Sequence, residues 1–188
     1  YTVVTIYKYN KIMKIGVDLG GTNVRAALVD GTTVIRKEKV SCPAKGTQEE
    51  VIEAIASLME PLVCEEVTSI GMGVPSVVDT TRGIVYNVAN IPSWQEVHLK
   101  EIFEERFGIP VHINNDANCF ALGESRFGQG RGYKDVVGVT LGTGVGSGIM
   151  IGGHLYEGRN AGAGEIGCLS YLDKDYESYC STPFFVAH

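Results

Sequence analysis

The chain has 188 residues, 44% of them hydrophobic and 20% charged, which is enough apolar material for a buried core and the composition of an ordinary globular protein. A formal net charge of −6 and a pI near 5.2 leave no basic surface for nucleic acid or an anionic membrane, so small molecules are the expected partners. No apolar stretch approaches the ~20 residues that span a bilayer, and no cationic head precedes an apolar signal core; the expected compartment is the cytoplasm.

Residues 1–12 (YTVVTIYKYNKI) read as an upstream extension, because Met13 opens a far more regular pattern. From Lys14, strand KIGVD, glycine turn LGGT, strand VRAALVD, a turn at Gly31 and strand TVIRKEKV predict an antiparallel meander. Thr47-x-x-Glu50 is a capping box, and behind it Val51, Ile55, Leu58 and Leu62, with Ile52 and Met59 beside them, mark one apolar helix face. The strand SIGMGV and a short extended stretch, GIVYNVAN, come next. A second amphipathic helix then carries Leu99, Ile102, Phe103 and Phe107 and stops at Gly108 and Pro110. Strand VHINN leads into the helix ANCFALGESRF, and the text turns strand-rich again in DVVGVTLGTGVG and SGIMIGGHLY before the loop GRNAGAGEIG. A meander, then alternating helices and strands, then a second meander opening on a glycine turn is a coarse internal repeat. Two similar lobes facing one another are the simplest architecture that explains it.

Five scattered cysteines without a C-x-x-C pair signal neither a disulfide framework nor a zinc knuckle. The 24 glycines cluster at strand ends, where backbone approaches something closely. Asp18-Leu19-Gly20-Gly21-Thr22 lies in a β-turn-β setting whose consecutive amides can form an anion site, with Asp18 placed to hold Mg²⁺ through water. The turn Gly142-Thr143-Gly144 repeats this at the head of the second meander. Neither is a P-loop: no G-x-x-x-x-G-K-[ST] occurs, and the glycines at 142–147 are bracketed by strands instead of opening a helix.

Asn114-Asn115-Asp116-Ala117-Asn118 joins a strand to a helix. Asp116 suits a helix N-cap, and it equally suits a general base at a strand end facing a cleft, since an acceptor hydroxyl needs a carboxylate to receive its proton. Asn90 and Asn115 are neutral amides suited to sugar hydroxyls.

Six segments, D-L-G-G-T-N-V-R, G-V-P-S-V-V-D, V-A-N-I-P-S-W, N-N-D-A-N, L-G-T-G-V-G-S-G and A-G-A-G-E-I-G, occur in the order seen in the ROK family of sugar kinases and repressors, which the chain resembles over residues 14–168. The resemblance implies an α/β, ribonuclease H-like fold of the actin-like ATPase type, with a first lobe at 13–116 and the beginning of a second at 117–188. It implies ATP and Mg²⁺ as cofactors, a sugar as acceptor and a homodimer at full length. By it, Asp18, Gly20, Gly21 and Thr22 form the first phosphate motif and Gly142, Thr143 and Gly144 the second. Asn90, Asn115, Asp116 and Glu165 match sugar-contacting positions, with Asp116 the catalytic base. The expected reaction is transfer of the γ-phosphoryl group of ATP to a hydroxyl of glucose or a related hexose or N-acetylhexosamine. A sugar-sensing regulator of the same family and an actin- or chaperone-like ATPase without a small acceptor are the alternatives.

Three departures qualify the resemblance. Cys168 stands where the family has a histidine, and with Cys180 it leaves at most two thiols of the usual four zinc ligands, so no structural zinc is expected. Ser76 replaces a glycine common beside the sugar. The family's adenosine-binding segment is not reached, so the natural protein is expected to continue beyond His188 and this chain alone to be no competent kinase.

Overall fold

The computed structural model of the protein describes residues 12–187. The extension expected at 1–12 lies, but for Ile12, outside the described residues.

Strands β1 (Met13–Leu19), β2 (Asn23–Asp30) and β3 (Thr33–Ser41) form the expected antiparallel meander, with Asp18 opposite Arg25 and Gly20 N–H closing the first turn onto the Asn23 carbonyl at 2.9 Å. Strand β4 (Val67–Val74) adds parallel to β1, and a further parallel strand, Val111–Asn115 (β8 in chain order), adds parallel to β4. The sheet order is therefore β3-β2-β1-β4-β8. Alternation along each strand sends Ile15, Val17 and Leu19 of β1, Ile70 and Met72 of β4, and Val111 and Ile113 of β8 into the core, while Gly16, Asp18, Gly71 and His112 look the other way, to the surface.

Helix α1 (Gln48–Met59) starts at the expected capping box, in which Thr47 Oγ1 accepts from Glu50 N–H and Glu50 Oε2 accepts from Thr47 N–H. It buries Val51, Ile55, Leu58 and Met59. Leu62 also is buried but sits in a 3₁₀ turn that Pro61 enters. Between β4 and helix α2 (Leu99–Phe107) lies a small antiparallel sheet, β5 (Val77–Asp79), β6 (Ile84–Tyr86) and β7 (Glu96–Val97), where the sequence predicts only an extended stretch. Strands of two or three residues are too short to show a period. Helix α2 buries Leu99 and Phe103 and ends at Gly108, whose φ of 65° is the left-handed C-terminal conformation that glycine adopts without penalty.

Helix α3 (Asp116–Phe127) carries the chain to a second sheet, β11-β10-β9, made of β9 (Val136–Leu141), β10 (Val145–Ile151) and β11 (His154–Leu155). The strand-rich stretch SGIMIGGHLY is a hairpin, because Gly152 and Gly153 take φ of 59° and 82° and turn the chain. The boundary expected at 116/117 falls within the first turn of α3. Past Cys168 the chain forms a short hairpin, β12 (Ser170–Tyr171) and β13 (Lys174–Asp175), then two short helices, α4 (Tyr176–Cys180) and α5 (Thr182–Ala187). No helix among the described residues is long and apolar enough to cross a membrane.

Candidate active site

The register of the first sheet sets Asp18, Gly73 and Asn114 side by side at the carboxyl ends of β1, β4 and β8. That is where open α/β sheets collect ligands. The chain turns from β8 into α3 there, and the Asp116 Cα lies 3.4 Å from where a Cβ on Gly73 would stand. Asp116 therefore packs over the sheet end at Gly73, the strand partner of Asp18.

Asn115, not Asp116, is the N-cap of α3: its Oδ1 accepts from the Ala117 and Asn118 amides at 2.9 and 3.2 Å. The N-cap reading of Asp116 is thereby corrected. Asp116 occupies the first helical position and accepts from Ala117 N–H at 2.9 Å, so the amide of Ala117 is shared. Asn115 Nδ2 donates to the Ser76 carbonyl at 3.3 Å, which leaves one N–H of that side chain for a ligand. The Ser76 hydroxyl donates to the Tyr86 carbonyl and so is occupied by the small sheet.

The Asp116 carboxyl is open to the cleft on one side and hemmed by protein on the others. Desolvation raises its pKa, and the charge of Asp18 pushes it further the same way. Asp18 is held by Arg25 at 3.0 Å in an exposed ion pair. Beneath Asp116, Cys119 is pushed up to about 11 by burial and by the two aspartates, which keeps it a protonated, unreactive thiol.

Asn90 comes to the first glycine turn: a Cβ on Gly21 would fall 2.7 Å from the Asn90 Cβ. Gly20, Gly21, Thr22 and Asn90 therefore share one corner of the site. Gly142, Thr143 and Gly144 lie on the second sheet, between β9 and β10, where Gly142 N–H donates to the Gly144 carbonyl at 2.9 Å. Glu177 of α4 accepts from Val145 N–H at 2.9 Å, and Thr182 N–H donates to the Gly142 carbonyl at 2.7 Å, so the tail braces this turn from behind. Glu165 is exposed on a segment laid directly on β10. Gly164 and Gly167 press against the Ser147 and Val145 carbonyls, and Ser147 Oγ donates to the Gly164 carbonyl at 2.6 Å.

Sequence reasoning assigned no role to Gly73, Asn114, Glu157 or Glu177, although Gly73 and Asn114 open two of the six segments; Glu157 and Glu177 reach the site region through partners distant in sequence. The thiol of Cys168 is raised by partial burial and by Glu165, Glu177 and Asp175. Among the described residues no group of three or more His, Cys, Asp or Glu side chains could hold a metal ion.

A mixed five-stranded sheet with two apposed aspartates at its carboxyl end, joined by one helix to a second sheet that also opens on a glycine turn, defines an α/β protein of the ribonuclease H-like, actin-like ATPase class. The chain belongs to the ROK family, which matches residues 14–183. It is 42% identical to a glucokinase of Streptomyces coelicolor over 157 residues, covering 82% of this chain and 49% of that protein. It is 32% identical to a xylose repressor of Caldicellulosiruptor bescii over 160 residues, 81% of this chain and 40% of the repressor. The crystal structure of a ROK family glucokinase from Streptomyces griseus in complex with glucose and AMPPNP superposes with a TM-score of 0.84 at 36% identity, covering 93% of this chain and 59% of the other. The chain spans about half the length of the curated relatives it matches.

Proposed function

We propose that the protein is a sugar kinase that transfers the γ-phosphoryl group of ATP to a hydroxyl of glucose or a related hexose or N-acetylhexosamine, with Asp116 as general base. The observation that carries the reading is Asp116 on the first turn of α3, open to the cleft, with a pKa raised by its surroundings and by Asp18. A carboxylate whose proton affinity is raised is a better acceptor for the hydroxyl proton as the phosphoryl group arrives. Asn90, the free N–H of Asn115 and Glu165 orient the sugar hydroxyls. The amides of Gly21 and Thr22 and of Thr143 and Gly144 receive the phosphates, while those of Gly20 and Gly142 close the two turns. Carboxylate oxygens are the donors that Mg²⁺ takes, and Asp18, at the strand end before the first phosphate turn, would hold it through water; when bound, the ion would neutralise phosphate charge. The glucose and AMPPNP in the Streptomyces griseus structure support both substrate classes.

The test is Asp116→Asn in the intact protein, assayed with Mg-ATP against a panel of hexoses and N-acetylhexosamines. Turnover is expected to fall by about 10²–10⁴, the usual worth of general-base help, with sugar affinity retained. Unchanged turnover overturns the assignment. The likeness to a xylose repressor favours a second reading, a sugar-responsive regulator. Sugar binding by the wild type without phosphorylation of any member of the panel supports that reading instead.

A further inference from the structure

Glu157 belongs to none of the six motifs, yet its side chain bridges the two sheets beside the site. It follows β11. Its Oε1 accepts from Asn114 Nδ2 at 2.7 Å and its Oε2 accepts from Thr80 Oγ1 at 3.2 Å. Asn114 lies on β8 and Thr80 directly after β5, 43 and 77 residues away in sequence. Asn114 is in turn the hub of the junction that carries Asp116: its Oδ1 accepts from Asn115 N–H at 2.7 Å and from Asn118 Nδ2 at 3.1 Å. On its other side, the Glu157 carbonyl accepts from Ala163 N–H at 3.2 Å, which closes the loop that delivers Gly164 and Glu165. One residue therefore touches both the base-bearing junction and the root of the Glu165 loop.

We propose that Glu157 is a positioning residue that fastens the Glu165 loop to the β8–α3 junction, so that Asp116 and Glu165 keep one spacing across the cleft. The inference rests on the reading of Asp116 as base. A misplacement of about 1 Å at a reacting group can cost about 10²-fold in rate. The role is one of hydrogen-bond geometry and not of charge. Glutamine can accept from Asn114 through its Oε1 and donate through its Nε2 to a Thr80 hydroxyl that turns acceptor, so it preserves both bonds without the charge. Alanine loses both.

The experiment compares Glu157→Ala and Glu157→Gln in the full-length protein with Mg-ATP and the best sugar of the panel. Glu157→Ala is expected to lower kcat/KM by about 10- to 100-fold, the cost of letting a reacting group drift by up to about 1 Å, mainly through kcat. Glu157→Gln is expected to restore most of it. Gln as damaging as Ala, or Ala at the wild-type value, overturns the proposal. Should Glu157→Ala not fold, Thr80→Val removes one bond alone, and a wild-type kcat/KM there overturns it equally. If the wild type phosphorylates no sugar, the kinase reading fails by itself, and hydrogen exchange at Ala117 and Asn118 decides the tie. Exchange faster in Glu157→Ala than in wild type and Glu157→Gln supports it; equal exchange in all three overturns it.

Discussion

The two sheets are built by opposite means. The first carries its own core, a continuous cluster running from Ile15 to Ile113 that includes Trp94 and Phe103 and no residue of β9 or β10. The second leans on one helix. Its glycines 138, 146 and 148 let β9 and β10 meet α3 backbone-close, and a Cβ at Gly148 would stand 2.7 Å from the Ala117 carbonyl oxygen and from the Ala121 Cβ. The opposite side exposes Val137, Val139, Leu141 and Ile151. Burial of large side chains stabilises the first sheet, and close approach of small ones aligns the second. The site draws one half from the former and the other half from the latter.

Large-to-small truncation separates the two regions most strongly. Phe103→Ala, at a fully buried position, is expected to cost about 3–5 kcal/mol, whereas Val137→Ala, 61% exposed on β9, stays within about 0.5 kcal/mol. Urea unfolding of each variant checks this. Equal losses would show that the second sheet has a core of its own.

Adding a methyl group reverses the ranking. Gly148→Ala forces α3 away from β10 and is expected to cost about 1–3 kcal/mol, the usual penalty of overpacking. Gly16→Ala and Gly71→Ala, in strands of the first sheet where a Cβ meets nothing within 4 Å, are expected to be neutral or to stabilise by up to about 1 kcal/mol by relieving the entropy of a strand glycine. The same denaturation series decides it, and a tolerant Gly148 would remove the case for close approach.

The contrast also explains what could be read from the sequence. The capping box at Thr47 and Glu50, the face of α1 and the β1–β3 meander depend on neighbours within a few residues, and all three are in the structure as expected. Where two residues compete for one local job, the reading slipped by one, because Asn115 and Asp116 both suit an N-cap and only tertiary context turns Asp116 toward the cleft. The phosphate motif expected at Gly142, Thr143 and Gly144 heads a longer glycine run, in which Gly146 and Gly148 face α3 and do a packing job that no local signal distinguishes from ligand approach. Glu157 was invisible for the same reason: its partners come from other elements. Which residues the first lobe buries is written in periodicity; which residues join the lobes is not.

The smallest expected effect falls on the hinge point between the two regions. The pKa of the Asp116 carboxyl is raised above its ordinary value in the folded protein, because burial and Asp18 disfavour its charged form. The folded state therefore keeps this proton over a pH window in which the unfolded chain has released it. That contribution to stability is fully present below the ordinary carboxylate pKa and is lost as pH rises through the folded value. Above that window the ionised base is a net cost to folding, the usual trade at a catalytic group. Asparagine at 116 keeps an Oδ1 acceptor for Ala117 N–H and removes the charge. Asp116→Asn should accordingly melt above wild type at neutral pH. The carboxyl is open to the cleft and partly screened, so the gain is small, about 1–2 °C. The two melting curves should converge as pH falls below the ordinary carboxylate range. Scanning calorimetry from pH 3 to pH 8 reads this directly. A variant less stable than wild type at neutral pH, or a gap that widens on acidification, would mean that Asp116 serves the fold of α3 and not the cleft.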